Sequence, residues 1–84
     1  MYKFQFKFHR TGEVTESDYK YKSAETARVG ARAFISEALK FSERSPDEEA
    51  DLKVFSEQSK EPVTHFSSSY AQRLTLSKIK EWLR

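Results

Sequence analysis

The side chains able to do chemistry are few. His9 and His65 are the chain's only imidazoles, and no cysteine accompanies them. Imidazole can serve as a general base or a metal ligand, but a metal site needs three or four converging donors. Two histidines on separate strand-like segments fit surface positions or simple hydrogen bonds better. Asp47, Glu48, Glu49 and Asp51 form the densest acidic group. They lack the glycine and the spaced oxygen ligands of a calcium loop. Carboxylates that follow a Ser-Pro pair also complement the first turn of a helix, which explains them without a ligand. The sequence contains no Gly-x-Ser-x-Gly elbow, no phosphate-binding glycine loop and no His-Glu-x-x-His. No catalytic residue, metal or cofactor is therefore expected, and an enzyme is the least favoured reading.

Binding chemistry is the alternative. The opening run YKFQFKFHR interleaves rings with cations. Surfaces that bind single-stranded nucleic acid place aromatic and basic side chains on one exposed sheet face, so that bases stack while cations meet phosphates. Strand alternation instead puts Tyr2, Phe4, Phe6 and Phe8 on one face and Lys3, Gln5, Lys7 and His9 on the other. If a helix covers the ring face, Lys3, Lys7, His9, Lys20 and Lys22 remain outside as a weak phosphate surface with no ring among them. Arg28 and Arg32 add a second basic stripe, one turn apart on a helix, with Lys40 further along. These seven residues, from Lys3 to Arg32, are the candidate binding set. A solvated charged face is the ordinary explanation of such a stripe.

These side chains need elements to hold them. Val14 to Lys22 alternates as the opening run does, and Thr11-Gly12 suits a turn because Gly12 tolerates positive φ. Folding there pairs Phe8 with Thr15, Phe6 with Ser17, Phe4 with Tyr19 and Tyr2 with Tyr21. The other face sets Lys7 against Glu16, Gln5 against Asp18 and, less favourably, Lys3 against Lys20. Ser23 reads as the N-cap of a helix running to about Ser42. Ala27, Ala31, Phe34, Ile35, Ala38, Leu39 and Phe41 form its apolar face. Its early turns are rich in Ala and include Gly30, which costs about 1 kcal/mol of helix propensity. Small residues there allow close approach to a crowded sheet.

Ser45-Pro46-Asp47-Glu48 has the spacing of a second helix start, opening either a single turn or a helix through Asp51. Leu52 to Phe55 looks like strand by composition, although Leu52 and Phe55 also suit a helix face. Val63 to Phe66 reads as a short strand, and Ser67 to Ser69 as a loop or cap. Tyr70 to Leu76 belongs either to a strand or to the final helix. In that helix Leu76, Ile79, Trp82 and Leu83 share a face, and Lys78, Lys80 and Arg84 point outward.

The expected fold is one α+β domain over residues 1–84, ordered roughly ββα-ββα. An antiparallel sheet starts with the hairpin, the long helix packs on one face, and a C-terminal helix completes the core. Aromatics make up 14% of 84 residues, so a few rings can fill a small core that lacks disulfides. No apolar run reaches membrane-spanning length and none follows the N-terminus as a signal peptide would, so a cytoplasmic protein is expected. The formal net charge of +2 is spread unevenly, with basic ends at +3 each and a middle, residues 45–61, at −4. Such a field orients partners more than it binds them. The favoured function is non-enzymatic binding or regulation through protein contacts, of inhibitor, antitoxin or adaptor type. Phage or plasmid origin and homodimerisation both suit this size class. Nucleic-acid binding is the runner-up.

Overall fold

A computed structural model describes residues 1–41, 43–58 and 74–83. Alternating rings make β1 (Tyr2–Phe8) the central strand, with β2 (Val14–Glu16) on one side and β3 (Glu49–Ser56) on the other. Helix α1 (Ala24–Lys40) lies between β2 and β3 in sequence, and β4 (Leu74–Thr75) leads directly into α2 (Leu76–Trp82). The sheet order is β2-β1-β3-β4 and every pair is antiparallel. The expected α+β class and ββα-ββα order are thus what the chain adopts. Val63 to Phe66, His65, Ser67 to Ser69 and most of Tyr70 to Leu76 lie outside the described residues, as do Ser42 and Arg84.

The hairpin departs from the expected register. Phe6 faces Thr15 and Gln5 faces Glu16, so the pairing near the turn is displaced by two residues, whereas Tyr2 does meet Tyr21. Two local causes account for this. The turn is longer than a Thr11-Gly12 pair: the Phe8 amide donates to the Glu13 carbonyl at 2.8 Å, and the Gly12 amide donates to the Phe8 carbonyl. Gly12 has φ +72, as the turn requires. At the other end, the Phe4 amide donates to Ser17 Oγ at 3.1 Å rather than to a backbone carbonyl. That side-chain substitution stops the ladder. Asp18, Tyr19 and Lys20 then bulge outward before Tyr2 and Tyr21 exchange bonds at 2.7 and 3.1 Å. An offset of two preserves parity, so Thr15 and Tyr21 keep the ring face of β1. Tyr19 does not.

Phe6, Phe8, Ile35, Leu52, Leu76 and Ile79 are fully buried, and Phe4 and Leu83 nearly so. The rings touch in series: Phe4 with Phe6 at 5.7 Å, Phe6 with Phe8 at 6.1 Å, and Phe34 over Phe6 at 5.2 Å. Ser23 caps α1 in a reciprocal box with Thr26. Ala27, Ala31, Ile35 and Ala38 are the buried residues of the helix. Phe41 is not in the core as expected. It is the C-cap, 62% exposed. Ser45-Pro46-Asp47-Glu48 forms only a turn, closed by a Glu48 amide to Ser45 carbonyl bond, because β3 starts at Glu49. No helix among the described residues is long and apolar enough to cross a membrane.

Gly30 shows why the helix can come so close. A Cβ there would lie 2.2 Å from Tyr21 Oη and 2.4 Å from Cζ, inside the ring's own volume. Tyr21 cannot readily yield, because its ring rests on Phe4 at 6.0 Å and its backbone is bonded to Tyr2. Gly30→Ala is therefore expected to destabilise by about 1–3 kcal/mol in urea titration, despite a gain of about 1 kcal/mol in helix propensity. In a Tyr21→Ala background the same substitution should become neutral or stabilising. Additive effects would show that the two residues do not meet.

Candidate functional site

Both helices lie on the ring face of the sheet. The opposite face carries, row by row, Lys3 across from Phe55, Gln5 between Glu16 and Lys53, and Lys7 between Val14 and Asp51. Among the described residues no element packs over this face. The bulge after Ser17 adds Tyr19, which is 38% exposed. Lys3 Nζ lies 4.8 Å from the Tyr19 ring centre and 5.7 Å from that of Phe55. The expectation that the outer face has no ring is thus corrected: it has two, and a lysine stands between them. Parity could not reveal this, because Tyr19 changes face through the bulge and Phe55 comes from a strand assigned only by composition.

Several candidate cations are already engaged. Lys3 does not oppose Lys20. It donates to Glu16 Oε2 at 2.8 Å, and Gln5 Nε2 donates to the same oxygen at 3.2 Å. The Glu16 bond raises the Lys3 pKa above its ordinary 10.5, against the opposing effect of partial burial. Lys3 first, then Gln5, lower the Glu16 pKa below 4.5. His9 Nε2 lies 2.8 Å from Asp51 Oδ1, so His9 occupies a satisfied position at the end of β1. Lys20 is exposed, with Nζ 5.5 Å from the Tyr21 ring centre, and Lys22 is exposed too.

The helix stripe is also divided. Arg28 is half-buried, with its guanidinium 5.1 Å from the Trp82 ring centre, where it joins α1 to α2. Only Arg32 of that pair faces water as expected. Lys7 and Lys53 differ from the rest of the sheet face: neither is in an ion pair among the described residues. Lys53 is not among the residues the sequence singles out, since composition alone marks its strand.

Arg44 is the other residue that sequence reasoning passed over. Its guanidinium lies 3.8 Å from the Phe8 ring centre and pairs with Glu13 of the hairpin turn and Glu48 of the following turn. It borders an open cleft of about 900 Å³ that His9, Arg10, Leu39, Asp47 and Thr75 also line. The acidic group of residues 47–49 surrounds this cleft. Among the described residues, no group of three or more histidine and carboxylate side chains is placed to hold a metal. No family model matches the sequence, and no curated protein or solved structure is significantly similar to it.

Two consequences can be measured. The Lys3–Glu16 bond contributes fully between about pH 4.5 and 10.5; it fades as pH falls through the lowered Glu16 pKa or rises through the raised Lys3 pKa. Both groups are solvated enough to hold the contribution below about 1 kcal/mol. Glu16→Gln should thus be slightly less stable than the native chain at neutral pH. Urea titrations should show the two proteins converging as pH falls through the lowered Glu16 pKa, once the native carboxylate is protonated too. Arg44→Ala leaves the Glu48 carboxylate, only 6% exposed, without its partner. It should cost about 1–3 kcal/mol, and adding Glu48→Gln should recover part of the loss.

Proposed function

We propose that this chain is a non-enzymatic, cytoplasmic binding protein that acts through protein contacts, as an inhibitor, antitoxin or adaptor would, with the open sheet face as its contact surface. The observation that supports this reading is the pair of partly exposed rings, Tyr19 and Phe55, on a solvated sheet face. The solvated side of an antiparallel sheet is usually polar. Exposed aromatic residues are instead enriched where proteins meet.

On its β2 side, the sheet edge is the weaker surface. Because Phe8–Glu13 and Phe4–Ser17 are the bonded positions flanking β2, the amides and carbonyls turned outward belong to Val14 and Glu16. Each net hydrogen bond stabilises by about 0.5–1.5 kcal/mol, whereas association costs about 4–15 kcal/mol or more in lost freedom. Such a short edge cannot hold a partner, or a second copy, without side-chain contacts. The face can supply them.

One observation favours nucleic acid as the second reading: rings and lysines do share the outer face. It is set back by the engagement of Lys3 with both rings and by the carboxylates of Glu16 and Asp51 among the cations. Capture of partners from nuclease-treated lysate separates the readings. Protein recovered after digestion should be lost with Tyr19→Ala and Phe55→Ala combined, and kept with Arg32→Ala on the helix. Recovery of nucleic acid, or loss of every partner on digestion, would instead establish the second reading.

A further inference from the structure

We propose that the segment seated on the open sheet face is an extended acidic stretch of the partner protein, its carboxylates meeting Lys7 and Lys53 and its apolar side chains meeting Phe55 and Tyr19; this rests on the protein-contact reading above. The argument starts from the charges left after internal pairing. Lys3 belongs to Glu16, His9 to Asp51, Arg44 to Glu13 and Glu48, and Arg28 lies over Trp82. The central rows hold three lysines, Lys3, Lys7 and Lys53, against two carboxylates, Glu16, which accepts from Lys3, and Asp51, which is hydrogen-bonded to His9. What the middle of the face offers a partner is therefore positive.

The spacing favours an extended chain. Lys7 faces Asp51 and Lys53 faces Gln5, so the two lysines are diagonal neighbours on adjacent strands. Diagonal neighbours lie about 7–8 Å apart. Alternate residues of an extended strand present side chains to one side every ~6.6 Å, twice its rise per residue. Carboxylates at alternate positions of an extended segment therefore reach both ammonium groups at once. Phe55 stands one pleat beyond Lys53 on the same face of β3, next to Lys3 and Tyr19. An apolar side chain further along the segment would meet those rings. At the far end of the molecule Glu43, Asp47 and Glu49 outnumber the exposed Arg10 around the cleft, and that net negative charge disfavours the same segment and sets its direction.

A phosphate backbone fits less well. It would need a continuous track of cations, and it would lie against the carboxylates of Glu16 and Asp51. An acidic peptide can end, turn or place an apolar residue where those carboxylates stand.

The test is amide-shift titration of the full chain by NMR with three probes. These are a short peptide alternating Glu with Ser and ending in Phe, the same peptide with Lys for Glu, and an oligothymidylate of matching charge. The glutamate peptide should move amides of Lys7, Lys53, Phe55 and Tyr19 together. Lys7→Glu with Lys53→Glu should weaken it roughly tenfold, as lost exposed ion pairs and new repulsion would. The reversed variant should gain affinity for the lysine peptide, and its own amide spectrum shows that folding is kept. If the glutamate peptide moves no cluster on this face, the inference is overturned. Shifts that appear on concentrating the free protein would make a second copy the occupant and overturn it too. Should the reversed variant still capture the native partner, the acidic inference fails while the protein-contact reading stands. If oligothymidylate moves these amides at lower concentration than the peptide does, both fail.

Discussion

Everything in this fold depends on how closely α1 can approach the ring face of β1. Phe4, Phe6 and Phe8 project toward one side of the central strand, and Phe6 and Phe8 are completely buried. Rings of this size leave room for a helix only if its own contacting side chains are small. Ala27, Ala31 and Ala38 meet that requirement, and Gly30 meets it where the Tyr21 ring takes the space of a Cβ. The helix accepts poorer propensity at Gly30 in exchange for contact with Tyr21. That contact in turn anchors the return strand of the hairpin to β1 at the Tyr2–Tyr21 bridge. A larger residue on this helix face would lift α1 and expose Phe4, Phe6 and Phe8.

The same close packing determines the character of the surface. With the rings committed to the core, every polar residue of β1 is forced onto the open face, where Lys3, Gln5 and Lys7 meet the side chains of β2 and β3. Part of the charge there is settled internally, by Glu16 for Lys3, and Asp51 is hydrogen-bonded to His9. The basic count of the sequence therefore overstates the cationic surface. Arg28 and Arg44 show this most clearly: both are used as flat cations over rings, Trp82 and Phe8, that tie separate elements together.

Much of the architecture was legible because it follows from periodicity and local chemistry. Alternation placed the rings of β1, a serine before a helical pattern placed the start of α1, and Leu76, Ile79 and Leu83 share the buried side of α2. Features that depend on one side chain replacing a backbone group were not legible. Ser17 captures the Phe4 amide, and the following residues bulge; no hydrophobic pattern encodes that event. Its effect is large, since it halts β2 after Glu16 and turns Tyr19 outward. The short turn at Ser45 follows a similar logic. The capping signal is real, and Ser45 Oγ accepts from the Asp47 amide, but the strand propensity that follows ends the helix before it begins. Of the candidate binding residues, Lys7 and Arg32 stand as exposed as alternation implied, whereas Lys3 and Arg28 are held by rings that the pattern could not bring to them.

The bulge also links the sheet's edge to its face. A short outer strand that ends in a bulge is a poor template for another strand, which protects a small sheet from uncontrolled pairing. The residue expelled by that same bulge is Tyr19, and it comes to rest over Lys3 on the open face. One local event therefore weakens recognition through the backbone edge and strengthens it through side chains. Had the ladder continued to Lys22 in the simple register, Tyr19 would have stayed with Phe4 beneath the helix, and the edge would have been long and flat. The opening alternation of rings and cations would then have left a purely polar face. As folded, the chain instead presents two rings, a lysine clasped between them, and two further lysines with no internal partner among the described residues.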